Sequence, residues 1–227
     1  YDSLLSDTPA IVLHYSTFSI MDPLSQTMIA LRSDVTAHIS RIASTRLPHL
    51  PRPLRLSYSC YVLRVKVDSF NMELQKTQVC AELIGSKSAF VDAEVILICL
   101  EALKSIDINR MTLDLNLPFL REYFLSNLSN SMKEEINEAI DRKDQKALKN
   151  LKFDNLETLI QFMECSGDDI HATKYLSRLK LDRKLTQIRD HFLKVINIIK
   201  KNKKTIKIFV DPLENKGFKY HTGLTFT

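Results

Sequence analysis

The chain has 227 residues, 44% hydrophobic and 26% charged, an ordinary balance for a globular protein with a sizeable core. Its formal charge is +5, yet Trp is absent and no basic patch is interleaved with aromatics, so nucleic-acid binding is not indicated. No apolar run is long enough to span a bilayer and no signal-peptide pattern opens the chain.

In chain order, Tyr1 to Ala10 reads as a helical or irregular lead-in. Ala10 to Phe18 and Met28 to Leu31 read as strands, joined through a turn-forming group at Met21, Asp22, Pro23 and Ser25. Ser33 or Asp34 is placed to cap a helix whose apolar positions Val35, Ile39, Ile42 and Ala43 follow helical spacing. Asp34 has two readings, a cap or a carboxylate pointed into a pocket. The helix stops before Pro48, and Pro51 and Pro53 are expected to enforce an extended link.

Leu54 to Lys66 is rich in β-branched and aromatic residues and reads as a strand. A polar loop leads to a second strand, Thr77 to Gly85, in which Gln78, Cys80 and Glu82 share one face because side chains repeat every two residues. Arg64, near the end of the first strand, is expected to reach the same surface. An arginine, an amide and a carboxylate over one sheet face are the groups that hold a small zwitterion. They are equally the residues of an ordinary solvated face on an antiparallel sheet.

Ser88 to Ile106 reads as a strongly apolar, mostly buried helix with Asp92 and Glu94 near its start. Thr112 to Leu117 alternates as a strand and Pro118 ends it. From there to Lys204 the pattern is helical and charged, with five helices expected: to Lys143 from a cap at Asn130 or Ser131, Asp144 to Leu151, Asn155 to Cys165, Asp168 to Leu179, and Asp182 to Lys200. Residues 118–204 are read as a helical insertion, and 1–117 with 205–227 as the core it interrupts. His171 and His191 read as isolated surface or packing residues. Lys200, Lys201, Lys203 and Lys204 read as a solvated helix end, where cations favour the negative pole of the helix dipole.

Thr205 to Val210 reads as a strand, followed by DPLENKGFKYHTGLTFT. Gly217 and Gly223 are half of the chain's four glycines. Between them, Tyr220 and His221 belong either to a hairpin with a wide loop or to a loop that delivers a ring and an imidazole to a pocket. Cys60, Cys80, Cys99 and Cys165 form no C-x-x-C pair and no metal-ligand spacing. That usage fits a reducing compartment, and the cytoplasm is expected. The chain opens on Tyr1 and closes on a strand-like segment, so both natural ends are expected to lie outside it.

These segments together resemble a known family. LRSDVTAHISRIA is similar to the LRP(D/E)-x-T-x-x-x-x-R segment of histidyl-tRNA synthetases and their paralogues. LRLSYSCYVLRVK followed by TQVCAELIG resembles the second class II motif, with its (F/L)R pair and Q-x-G-x-E-x-x-G strand. GFKYHTG resembles the histidine-loop segment R-G-(L/F)-(D/E)-Y-(Y/H)-T-G. Within the family, YDSLL, HYSTFSIMDPLS, RPLRLSYS, DAEV and DPLEN are similar to the regulatory subunits of ATP phosphoribosyltransferase.

The resemblance implies an α+β fold, a class II synthetase-like antiparallel sheet flanked by helices with a helical insertion. It implies a non-catalytic subunit with no cofactor, a homodimer inside a hetero-oligomer, that activates a short-form ATP phosphoribosyltransferase catalytic subunit and confers feedback inhibition by histidine. Asp34, Thr36 and Gln78 would take the effector's α-amino group and Arg64 its carboxylate side. Glu82, Tyr220 and His221 would surround the imidazole, with Lys216 in the same histidine-binding set. Several positions depart from the synthetase pattern. Glu73, Leu74, Gln75 and Lys76 stand where a synthetase carries phosphate-binding arginines, Asp34 replaces Glu, and His221 replaces a second Tyr. Lys216 and Cys80, in place of Arg and Gly, depart from both relatives. The alternative reading is a catalytic-core fragment of a histidyl-tRNA synthetase.

Overall fold

The computed structural model describes residues 17–65, 73–215 and 221–227. The chain divides into two compact units, residues 1–87 and 88–227. The lead-in and nearly all of the strand expected from Ala10 lie outside the described residues.

In the first unit, β1 (Ser19–Met21) and β2 (Met28–Ala30) form a short antiparallel hairpin. Asp22 organises its turn by accepting from the Ser25 hydroxyl and from the Leu24 and Ser25 N–H groups. Those bonds, the Ser25 hydroxyl first, hold its carboxyl below the usual carboxylate range. Helix α1 (Thr36–Thr45) follows, with Val35 at its N-cap and no side-chain cap. Neither Ser33 nor Asp34 caps it. Both are buried instead, at 3% and 9% exposure. Turns and a cis Arg52–Pro53 peptide, rather than a straight extended link, lead into β3 (Leu54–Leu63). β3 pairs antiparallel with β4 (Gln75–Ile84), from Leu54 opposite Ile84 to Leu63 opposite Gln75. Gln75 and Lys76 are thus strand residues rather than loop, because they continue the ladder opposite Leu63 and Val62.

The second unit opens with α2 (Ala89–Ser105), whose cap Ser88 accepts from the Phe90 N–H. β5 (Thr112–Asn116) turns Leu113 and Leu115 into the core, and Leu117 follows them. Then come α3 (Phe119–Leu125), α4 (Asn130–Asp141), α5 (Gln145–Asn150) and α6 (Leu156–Glu164). A two-residue strand β6 (Gly167–Asp168) precedes α7 (Asp169–Leu176) and α8 (Arg183–Asn202). The helix not anticipated is α3, which starts directly behind Pro118, a residue whose fixed φ suits a helix start. Ser129, one residue before the expected cap, caps α4. Asp144, Asp168 and Asp182 cap α5, α7 and α8 by accepting from backbone N–H groups.

β7 (Lys207–Asp211) and β8 (Thr225–Phe226) complete a sheet of order β6-β7-β5-β8. β7 runs parallel to β5, while β8 pairs antiparallel with the other edge of β5. β7 and β8 therefore form no hairpin, since β5 lies between them. The apolar alternation of β5 favours this central position: Leu113 and Leu115 are 2% and 0% exposed. Among the described residues no helix is long and apolar enough to cross a membrane.

The two histidines expected to be isolated are both engaged. His191 on α8 bonds through Nε2 to the Asp92 carboxylate of α2 at 2.6 Å. Lys203, just past the end of α8, pairs with Glu101 on α2. The two contacts occur in the same order along both segments, so α2 and α8 run parallel. Lys200 pairs with Asp169 at 2.9 Å, so half of the lysine run is held by carboxylates rather than simply solvated.

Arg121 joins the helical block to the sheet. It is 8% exposed, its Nε donates to the Leu213 carbonyl, Nη1 reaches Asn137 and Nη2 pairs with Asp141 at 2.6 Å. Replacing it by Met keeps the stem but leaves a buried carbonyl without its donor, which costs about 1–3 kcal/mol. Arg121→Met is therefore expected to lower the unfolding free energy by that order and to move the urea midpoint down accordingly. Asp141→Asn, at the exposed end of that pair, should change that free energy by less than about 1 kcal/mol. Equal midpoints for wild type and Arg121→Met would remove Arg121 from this role.

Candidate functional site

The ribbon of β3 and β4 carries one polar, half-buried face. Along β4 the less exposed positions are Lys76, Gln78, Cys80, Glu82 and Ile84, and every residue between Gln75 and Ala81 on the opposite parity is exposed. The register sets Cys60 opposite Gln78, Tyr58 opposite Cys80 and Leu56 opposite Glu82. The expected sharing of a face by Gln78, Cys80 and Glu82 is present in the structure.

Glu82 is the centre of this face. Its Oε1 accepts from the Thr36 hydroxyl at 3.0 Å and from the Tyr58 hydroxyl at 3.1 Å. The Tyr58 bond is diagonal across the ribbon, a reach that aromatic side chains manage. Asp34 adds a second carboxylate, with Oδ1 3.4 Å from the same Thr36 hydroxyl. One hydroxyl proton serves one acceptor at a time, and the shorter contact is to Glu82. Two carboxylates gathered around one hydroxyl make a region suited to a cationic group, and Glu82 has no ion-pair partner among the described residues.

The sequence alone assigns no role to Tyr58. The signal was its even parity in β3, which sets it opposite Cys80, but an aromatic in a strand reads first as packing. Burial, then the Cys80 side chain, and further the Glu82 charge push the Tyr58 phenol above its ordinary pKa. It therefore remains a donor at neutral pH. Burial also raises the Cys80 thiol, opposed by the Tyr58 hydrogen bond and reinforced by Cys60, Glu82 and Asp34. Cys80 is thus a protonated, packed thiol and not a nucleophile. It stands between Gln78 and Glu82, filling the face where the related motif has glycine.

The Gln78 Oε1 is buried and has no hydrogen-bond partner among the described residues. A buried acceptor without a donor is unfavourable by about 1–3 kcal/mol, so it favours any ligand that supplies an N–H. Arg64 continues the same parity beyond β3, with its N–H donating to the Leu74 carbonyl at 2.9 Å. It stands four residues past Cys60, about 13 Å along the strand at about 3.3 Å per residue. Arg64 and Glu82 thus mark opposite ends of the face, with Gln78 between them. Lys216 and Tyr220 lie outside the described residues. His221 is half-buried in the second unit, ahead of β8. Among the described residues no group of three or more His, Cys, Asp or Glu is arranged to hold a metal ion.

A family model described as histidyl-tRNA synthetase matches residues 1–227. A protein from Rhodospirillum centenum named ATP phosphoribosyltransferase regulatory subunit is 37% identical over 228 residues, covering 100% of this chain and 59% of that protein. The chain thus spans less than two thirds of the length of this curated relative. A structure from Bacillus halodurans C, described as an ATP phosphoribosyltransferase regulatory subunit/histidyl-tRNA synthetase, is similar with a TM-score of 0.75 at 20% identity, over 93% of this chain and 56% of that one. An ATP phosphoribosyl transferase (HisG:HisZ) complex from Thermotoga maritima gives a TM-score of 0.63 at 16% identity, over 92% of this chain and 73% of that one. These structural likenesses carry the α+β, class II synthetase-like fold. With the family model matching along its whole length, the chain belongs to the histidyl-tRNA synthetase family.

Proposed function

We propose that this chain is the synthetase-like part of a regulatory subunit of ATP phosphoribosyltransferase, itself without catalytic activity, that binds histidine as a feedback effector. The observation that carries the reading is the Glu82 face: a carboxylate held by Thr36 and Tyr58, a second carboxylate at Asp34, and the buried Gln78 oxygen with no partner among the described residues. An α-ammonium needs acceptors and an imidazole N–H needs a carboxylate or phenol. Asp34, Thr36 and Gln78 supply the first and Glu82 the second, and Arg64 takes the ligand's carboxylate only by extending its guanidinium back along the face toward Gln78. The name carried by the relative from Rhodospirillum centenum supports the regulatory role. The Thermotoga maritima structure, described as a complex, supports a catalytic-subunit partner in a hetero-oligomer.

The same reading includes a homodimer within that hetero-oligomer and a cytoplasmic location, which the four free cysteines favour. It also includes residues 118–204 as an insertion within a core made of 1–117 and 205–227. Parallel pairing of β5 with β7 supports this, because it sets the two flanks of the helical stretch on neighbouring strands.

Three outcomes follow. In calorimetry, histidine is expected to bind the protein, and Glu82→Gln to weaken binding at least tenfold, about 1.4 kcal/mol. Gln retains acceptors for Thr36 and Tyr58, so an unchanged circular dichroism spectrum makes the comparison fair. An unchanged affinity rejects Glu82 as a ligand. Phosphoribosyl-ATP formation by a short-form catalytic subunit should rise on adding the full-length protein and fall again with histidine, with a coupling of about 1–3 kcal/mol. Identical rates in all three conditions reject the regulatory role. The synthetase alternative predicts histidine-dependent ATP–pyrophosphate exchange. The full-length protein is expected to show none, because Glu73 and Leu74 stand where groups that neutralise phosphate charge belong, and losing one such donor costs about two to three orders of magnitude in rate.

A further inference from the structure

The positive charge of this chain is concentrated in one stretch. Residues His171 to Lys204 hold eleven Lys and Arg against two Asp and Glu, net +9, whereas the whole chain is +5. Much of that charge is already engaged. Lys200 and Lys203 pair with Asp169 and Glu101, and Arg189 with its neighbour Asp190. Lys184 and Lys194 lie over the Tyr123 and Phe90 rings at 4.8 and 5.0 Å. Lys174 and Arg178 are exposed and form no ion pair among the described residues.

Those two cations line one open cavity of about 370 Å³ together with His171, Tyr175 and Leu179. The volume lies within the range of small-ligand sites, about 300–1,000 Å³. Spacings of three, four and seven residues place the side chains on one side of α7 and its end.

The walls of the cavity are set in advance. His171 Nε2 lies 3.0 Å from the Glu164 carbonyl. A carbonyl only accepts, so the neutral ring carries its proton on Nε2. Gly167 makes room for that ring, since a Cβ there would stand 3.0 Å from His171 Cδ2. The Tyr175 hydroxyl donates to the Glu164 carboxylate, which raises the phenol to about 12 and keeps it protonated. The His171 and Tyr175 rings stand 5.9 Å apart. Glu164 therefore positions both rings. Of the other nearby acids, Asp169 pairs with Lys200, and Asp168 caps the N-terminal end of α7, the end away from Lys174 and Arg178. The Glu164 carboxylate contributes one negative charge and the C-terminal pole of α7 about half of one, and the two full cations Lys174 and Arg178 still exceed them.

We propose that this cavity binds a small phosphate-bearing anion. Lys174 and Arg178 take the phosphate oxygens, while Tyr175 and Leu179 form the apolar wall. The planar guanidinium favours a tetrahedral phosphate with paired oxygens.

Calorimetric titration of the protein with inorganic pyrophosphate, in about 0.15 M salt to suppress diffuse attraction, is the test. Wild type should bind saturably at one site. Lys174→Ala/Arg178→Ala should weaken binding at least tenfold with an unchanged thermal midpoint, because both heads are exposed. Lys201→Ala/Lys204→Ala, which removes two other exposed cations, should leave the affinity as it was. Absence of saturable binding, equal weakening by both double variants, or binding of a glutamate-rich peptide but not of pyrophosphate would each overturn the proposal.

Discussion

One carboxylate ties three elements of the first unit together. Glu82 on β4 accepts from Thr36 at the first position of α1 and from Tyr58 on β3. A two-stranded ribbon alone is marginally stable in water and needs something packed on its face. α1 packs against β4 and supplies that cover, and the Thr36 bond fixes its start. The bond requires the observed register. A slip of one residue would turn Gln78, Cys80 and Glu82 outward together, because strand side chains alternate. Stability and site chemistry in this unit thus rest on the same group.

The site face is polar yet half-buried, and that combination is what gives it chemical meaning. A fully solvated carboxylate offers a ligand little that water does not. Around Glu82, burial keeps the Tyr58 phenol protonated and the Cys80 thiol neutral, so the hydrogen-bond roles on this face are fixed. Preorganised donors and acceptors lose less on binding than mobile ones. Cys80 stands between Gln78 and Glu82 and narrows the face where a glycine would leave it open.

The second unit is organised differently. Its sheet is central and its helices are joined to it by buried polar contacts. Arg121 reaches the Leu213 carbonyl, and Lys143 pairs with Asp211, which is 4% exposed. Such contacts are strongly unfavourable to break one-sidedly, because the remaining partner stays buried. They couple α3 and the end of α4 to the end of β7, and Leu115, Leu120, Ile136 and Leu213 are all fully buried in one core.

Much was legible in the sequence because it depends on local repeat. The period of two in TQVCAELIG placed Gln78, Cys80 and Glu82 on one face, and the run of Asp caps marked where α5, α7 and α8 begin. The three co-ordered motifs identified the family, since order and spacing survive where individual residues change. What tertiary structure decided are the pairings between distant segments. Asp34 is a buried carboxylate and not a cap, because Val35 takes the cap position and Thr36 turns toward Glu82, 46 residues away. His191 is bound to Asp92 across 99 residues, and β8 joins β5 rather than β7. No local period encodes such contacts. They are set by which apolar faces must be covered, and only the packed chain determines which polar groups meet when those faces close.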